Sequence, residues 1–314
     1  LRTDRILAVL VVAGSLAAAS AAWLSRPPRA GLDLAGALGK EGTADVALID
    51  VYGMISDTAD SGFFGGGEGA SSNRLIKAVR SAEKDGVKAI LLRINSPGGT
   101  AASSQAVYEE LMRVRRDSKI PIVAAMGDVA ASGGYYIAAA ADHITALPAT
   151  TTGSIGVIMH LQNVQGLMNK LGVQTHTVQS GPHKDILSPF RSTSPSERAI
   201  LQGQVEETYG QFLNAIVDGR KMPMEKLRPL ADGRIFTGSQ AQKAGLVDSL
   251  GNWRDALSKA AGMAGIKGEP KVEDYSDGGF WRGWLPRVEA RIPSFFQGSL
   301  GSQLPVKVPL ALME

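Results

Sequence analysis

The sequence predicts an α/β domain of repeated β-β-α or β-α units, preceded by one apolar segment long enough to cross a membrane. Three observations lead there. Short apolar runs at residues 87–94, 120–126, 143–147 and 172–178 alternate with segments of helical period at residues 73–84, 103–116, 134–141 and 164–171. Ser194-Pro195-Ser196-Glu197 has the form of a capping box, and a long helix is expected to run from it through Tyr209 and Phe212 toward Arg220. Of the 314 residues, 44% are hydrophobic and 20% charged. That composition suffices for one α/β core of about two hundred residues.

From the N-terminus, residues 6–24 form an uncharged run rich in alanine and valine, about long enough as a helix to cross the ~30 Å hydrocarbon core of a bilayer. A transmembrane anchor over residues 1–25 is expected. The alternative is a cleavable signal sequence, because Arg2 and Arg5 supply a basic start and Ala19-Ser20-Ala21 an A-x-A site. Both put the chain from Lys40 onward outside the cytoplasm. Arg2 and Arg5 are balanced by Arg26 and Arg29 after the run, so charge counting leaves the orientation open. Residues 26–43, opening on Arg26-Pro27-Pro28, read as a linker.

The folded domain is expected over residues 44–266, beginning with a strand from Ala44 to Gly53. The stretch Gly62-Phe63-Phe64-Gly65-Gly66-Gly67 is too rich in glycine for a strand and lacks the Gly-Lys-Ser/Thr of a phosphate loop. Residues 267–314 read as a tail, disordered or membrane-touching, with Phe280-Trp281-Arg282-Gly283-Trp284 as its interfacial aromatics. Zero cysteines exclude disulfides, and with no His-Glu-x-x-His spacing neither a metal nor a cofactor is expected. The net charge of +3 is mild and its lysines and arginines are dispersed. Leu111-Met112-Arg113-Val114-Arg115-Arg116 reads as a solvated helix face, and no basic stripe interleaved with aromatics suggests nucleic acid.

The chemistry concentrates in five segments. In Gly127-Asp128-Val129-Ala130-Ala131-Ser132-Gly133-Gly134 a serine stands among small residues between an apolar strand and a helix. Ser132 can be a nucleophile there, and the Gly133 N–H is free to bind an oxyanion. Asn95-Ser96-Pro97-Gly98-Gly99 closes another strand with a turn that frees backbone N–H groups, which makes Gly99 the candidate second oxyanion donor. Thr152-Gly153-Ser154-Ile155-Gly156-Val157 places a further hydroxyl, Ser154, on a close-packed backbone. Ser180-Gly181-Pro182-His183-Lys184-Asp185-Ile186 offers a lysine in a loop. The fifth segment pairs Asp232-Gly233-Arg234-Ile235-Phe236-Thr237-Gly238 with Ala244-Gly245-Leu246-Val247-Asp248-Ser249-Leu250-Gly251.

Taken in order from about residue 46 to 264, these motifs resemble the short form of the signal peptide peptidase A family, serine peptidases of the ClpP/crotonase superfamily. The resemblance implies a repeated β-β-α spiral with a helical C-terminal part. It implies Ser132 as nucleophile, Lys184 as general base, Gly99 and Gly133 as the oxyanion hole, and Ser154 as the residue that orients the lysine. It also implies ring-shaped homo-oligomers in which Ser132 and Lys184 meet across a protomer boundary. The catalytic domain would sit on the extracytoplasmic side of the cell membrane, behind a single-pass anchor, cleaving hydrophobic peptides such as remnant signal peptides.

A Ser-Lys pair works only if the lysine is neutral when it takes the serine proton. Lowering a lysine from near 10.4 to about 8 disfavours the ammonium by roughly 3 kcal/mol, which burial has to supply. Asp185 would oppose this if its carboxylate approached Lys184, so it is expected to pair elsewhere. A Ser-His-Asp triad would need His143, His160, His176 or His183, but the chain lacks a G-x-S-x-G elbow. A crotonase-type acyl-CoA enzyme and a non-catalytic membrane scaffold of the same fold stay open as alternatives.

Overall fold

A computed structural model of the chain describes residues 44–57 and 69–276. The expected anchor, the linker, the glycine-rich stretch and the tail past residue 276 lie outside the described residues. Among the described residues no helix is long and apolar enough to cross a membrane.

The domain is α/β with a mostly parallel sheet. Strands β1 (Val46–Tyr52), β4 (Ala89–Ser96), β5 (Ile122–Ala131), β6 (His143–Ala146), β9 (Ser249–Leu250) and β10 (Val272–Asp274) lie in the order β10-β1-β4-β5-β6-β9, each parallel to its neighbours. A small parallel pair, β2 (Ile55–Ser56) with β3 (Ala70–Ser71), stands apart. β7 (Thr151–Gly153) pairs with the end of β5, and β8 (Ile235–Thr237) runs antiparallel to β7.

The near-continuous apolar runs of β4 and β5 follow from burial on both faces, since side chains alternate along a strand. Ile90, Leu92 and Ile94 face the main core, with Ile122, Ala124 and Met126 beside them. Ala89 and Leu91 point the other way and join Val123, Ala125, Ala256 and Ala260 in a second cluster. The helices on the main side are α1 (Ser72–Lys84), α2 (Ala101–Asp117), α3 (Gly133–Ala138) and the C-terminal half of α5 (Pro195–Arg220). A short helix, α4 (Gln165–Lys170), precedes α5, and α6 (Met224–Leu227), α7 (Gly238–Ala244) and α8 (Trp253–Met263) follow it. The expected capping box opens α5: the Ser194 hydroxyl accepts from the Glu197 N–H, and the Glu197 carboxylate accepts from the Ser194 N–H.

Three local expectations change. Residues 172–178 form no strand, because among the described residues no strand pairs with them and Val173 and Val178 stand exposed. β10 lies in the segment read as a tail, where three residues are too few to show a period. Arg113 and Arg115 do not simply face water. Arg113 bridges Glu83 and Glu110, and Arg115 reaches the Ala140 and Gly219 carbonyls and the Asp142 carboxylate, so these side chains tie α2 to its neighbours.

Candidate active site

Strand β5 delivers Ser132. Its first half pairs with β4 and β6, the register shifts beside residues 94–96, and Val129, Ala130 and Ala131 then pair with β7. At the end of this strand Ser132 takes φ 52° and ψ −118°, a conformation that costs a residue with a side chain about 1–3 kcal/mol. Two hydrogen bonds impose it. The Ser132 N–H donates to the Gly153 carbonyl at 2.9 Å, and its own carbonyl accepts the Tyr136 N–H at 2.9 Å as α3 begins. The Ser132 side chain is left half-buried at the helix start.

The Pro-Gly-Gly turn is fixed against it from the β4 side. The Ser96 hydroxyl donates to the Gly53 carbonyl at 2.6 Å and accepts the Gly98 N–H at 3.1 Å. The Gly98 carbonyl then accepts the Ile55 N–H, and the Thr100 N–H returns to the Ile55 carbonyl, both at 2.9 Å. Gly98 needs its glycine twice over: its φ is +104°, and a Cβ there would fall 2.6 Å from the Gly133 nitrogen. A Cβ on Gly133 would fall 3.1 Å from the Gly99 nitrogen and 2.3 Å from the Ser104 hydroxyl. The two expected oxyanion donors thus lie against each other beside Ser132. Among the described residues neither N–H has a hydrogen-bond acceptor.

A cleft of about 230 Å³ opens at this point, lined by Gly99, Ser132 and Gly133 together with Ser104, Tyr136, Val157, Ile158, Thr208 and Phe212. Tyr136 and Phe212 stack 4.5 Å apart within 15° of parallel, an apolar wall built from α3 and α5. Ser154 is next in chain to the carbonyl that holds the Ser132 N–H, and its own N–H donates to the Arg234 carbonyl at 2.8 Å. It is half-buried at φ 47°.

Lys184 is placed differently. It sits in an exposed turn, its N–H bonded to the Gly181 carbonyl at 3.2 Å, and does not line the cleft of its own chain. Asp185 pairs elsewhere, as expected: its two carboxylate oxygens take the Arg191 guanidinium at 2.7 and 2.8 Å. That guanidinium holds the Asp185 carboxyl below the usual carboxylate range. None of the four histidines lines the cleft. His143 lies on β6 beside the Ser249 hydroxyl at 2.9 Å, with burial holding its ring below the ordinary histidine range, while His160, His176 and His183 are exposed.

Several contributors escaped the sequence reading. Ser96 and Ser104 brace the two glycine segments, and their nearness to Pro-Gly-Gly was the available signal. Thr208 and Phe212 enter from the middle of a long helix, whose sequence carries no sign of a cleft.

Similarity to known proteins points the same way. The profile of peptidase family S49 matches residues 114–267, and that of Clp protease matches residues 46–172. A Synechocystis sp. protein provisionally named a protease is 46% identical over 228 residues, covering 73% of this chain and 77% of the relative. An Enterococcus faecium protein provisionally named signal peptide peptidase SppA is 40% identical over 229 residues, with 73% and 64% covered. Protease 4 of Salmonella typhi is 37% identical over 268 residues, and the match covers 85% of this chain but only 41% of that longer protein.

Proposed function

The chain belongs to peptidase family S49, a family of serine peptidases, and on that premise we propose that it is a membrane-anchored endopeptidase acting on hydrophobic peptides through Ser132 and Lys184. The observation that carries this reading is the meeting of Ser132 with the free N–H groups of Gly99 and Gly133 at one apolar-walled cleft. The Ser132 Oγ attacks the scissile carbonyl while its proton passes to the neutral Lys184 amine, and the carbonyl oxygen becomes an oxyanion held by the two glycine N–H groups. Lys184 then returns the proton to the leaving amine. Water, deprotonated by the same lysine, releases the acyl group. The acyl-CoA and scaffold readings use the oxyanion donors or the fold but give Ser132 no task.

The exposed position of Lys184 fits a base supplied in trans. The segment around it also exposes Ile158, Leu167, Leu171, Val178 and Leu187, apolar surface suited to burial against a second copy of this chain. In such an assembly Lys184 would be desolvated at the neighbour's Ser132, with Ser154 beside it. Remnant signal peptides are the substrate class that the apolar wall and the proposed membrane anchor suit. Hydrolysis of a quenched fluorogenic peptide of apolar sequence tests the proposal. Cleavage by the wild type and loss of at least 10³-fold in both Ser132→Ala and Lys184→Ala supports it; cleavage undiminished in either variant rules it out.

A further inference from the structure

The turn that carries Lys184 is tied down by one side chain that the reaction itself does not use. Arg191 forks across two carboxylates. Its Nε and one terminal nitrogen meet Asp185 at 2.8 and 2.7 Å, and its two terminal nitrogens meet Glu197 at 2.9 and 2.6 Å. The same guanidinium also reaches the Asp185 carbonyl at 3.3 Å, on the peptide unit that follows Lys184 by one residue. Glu197 is a fixed post: its side chain is 3% exposed, and it closes the capping box at the start of α5. Bidentate guanidinium and carboxylate pairs of this kind fix direction as well as distance.

The charge pattern gives the clamp a chemical consequence. The ionisable groups placed around Lys184 in the chain are His183 and Asp185 beside it, Arg191 across the turn, and Glu197 from α5, which lies 3.9 Å from His183. Asp185 is the anion closest to the lysine in sequence. Left free, its carboxylate would favour the ammonium form of Lys184 and work against a neutral base.

We infer that Arg191 is a positioning residue for the Ser132 and Lys184 pair: it turns the Asp185 carboxylate away from the Lys184 amine and pins the lysine turn to the first turn of α5. This rests on the Ser-Lys reading above. Arg191 does not line the cleft at Ser132, so its effect should appear in the pH dependence of nucleophile activation. A purely structural role would lower the rate without moving that dependence.

The experiment is the rate of Ser132 labelling by a fluorophosphonate across pH 6 to 10, in the full chain. In labelling, the serine oxygen forms a bond to phosphorus, fluoride leaves, and the serine proton goes to the lysine. Arg191→Ala is expected to move the alkaline rise in rate upward by about one pH unit. Adding Asp185→Asn to that variant is expected to bring the rise back to its wild-type position, because the freed carboxylate is gone. Arg191→Lys keeps a charge without the fork and is expected to shift the rise the same way by less, which serves if Arg191→Ala does not fold. An unmoved rise in the Arg191 variants overturns the inference, as does restoration by Glu197→Gln in place of Asp185→Asn. Lys184→Ala separates the two levels. If it labels like the wild type, the Ser-Lys reading falls and takes the inference with it; if it does not label while the Arg191 variants keep a wild-type profile, only the inference falls.

Discussion

Ser132 holds a backbone conformation that serine does not adopt unaided, and its neighbours explain why it can. The β5–β7 pairing fixes its N–H, α3 fixes its carbonyl, and the Pro-Gly-Gly turn packs against the residue that follows. Gly133→Ala therefore tests the proposed oxyanion site. The added Cβ would land 2.3 Å from the Ser104 hydroxyl and 3.1 Å from the Gly99 nitrogen, so the two donors cannot keep their places. Fluorophosphonate labelling is expected to slow by about 10²-fold or more; an unchanged rate would contradict the assignment. That Ser132, Gly99 and Gly133 come together was legible in the sequence because each lies in a contiguous small-residue run at the end of an apolar strand. Phe212 and Arg191 were not, since helix packing and an ion-pair fork give them their roles.

At the scale of elements, the cleft wall depends on α2, α3 and α5 meeting through Tyr108, Tyr136 and Phe212. Tyr108 meets Tyr136 edge-on at 5.3 Å and donates its hydroxyl to the Ala215 carbonyl at 2.8 Å. Phe212 is buried, so Phe212→Ala should cost about 3–5 kcal/mol in a denaturant titration, through lost transfer energy and the cavity left behind. A cost below about 1 kcal/mol would mean that α5 is not anchored by this ring. Burial pushes both the Tyr108 and Tyr136 phenols up to about 12. A group raised in the folded state stabilises fully below its unfolded value, near 10 for tyrosine, and that contribution is lost as pH rises from about 10 toward about 12. Urea midpoints followed by circular dichroism should fall over that window, and fall less in Tyr108→Phe/Tyr136→Phe; equal slopes would contradict this. Helices α1 to α5 were legible to within a few residues, whereas α7 and α8 were not read although capping boxes open both. The expected strand at residues 172–178 was not formed, because an apolar pattern specifies a face but cannot supply the partner strand.

At the scale of the whole molecule, Ser132 lies in a cleft while Lys184 stands in an exposed turn of the same chain, and the proposed assembly would unite them. Mixing Ser132→Ala with Lys184→Ala protomers, each inactive alone, should restore labelling at about a quarter of the sites when subunits exchange at random around a ring. No restoration, with exchange verified, would place the pair within one chain. The proposed anchor over residues 6–24 should leave the protein in the membrane pellet after carbonate washing, with its domain open to protease added outside spheroplasts; release or protection would contradict it. The proposed assembly is not legible in the residues themselves, because a single sequence marks apolar surface without saying what covers it. The most direct test of the central claim is fluorophosphonate labelling of the full chain as wild type, Ser132→Ala and Lys184→Ala. Labelling of the wild type and of neither variant, with all three equally folded and assembled, is the expected result. Labelling retained in Lys184→Ala would contradict a lysine base, and labelling retained in Ser132→Ala would contradict the nucleophile itself.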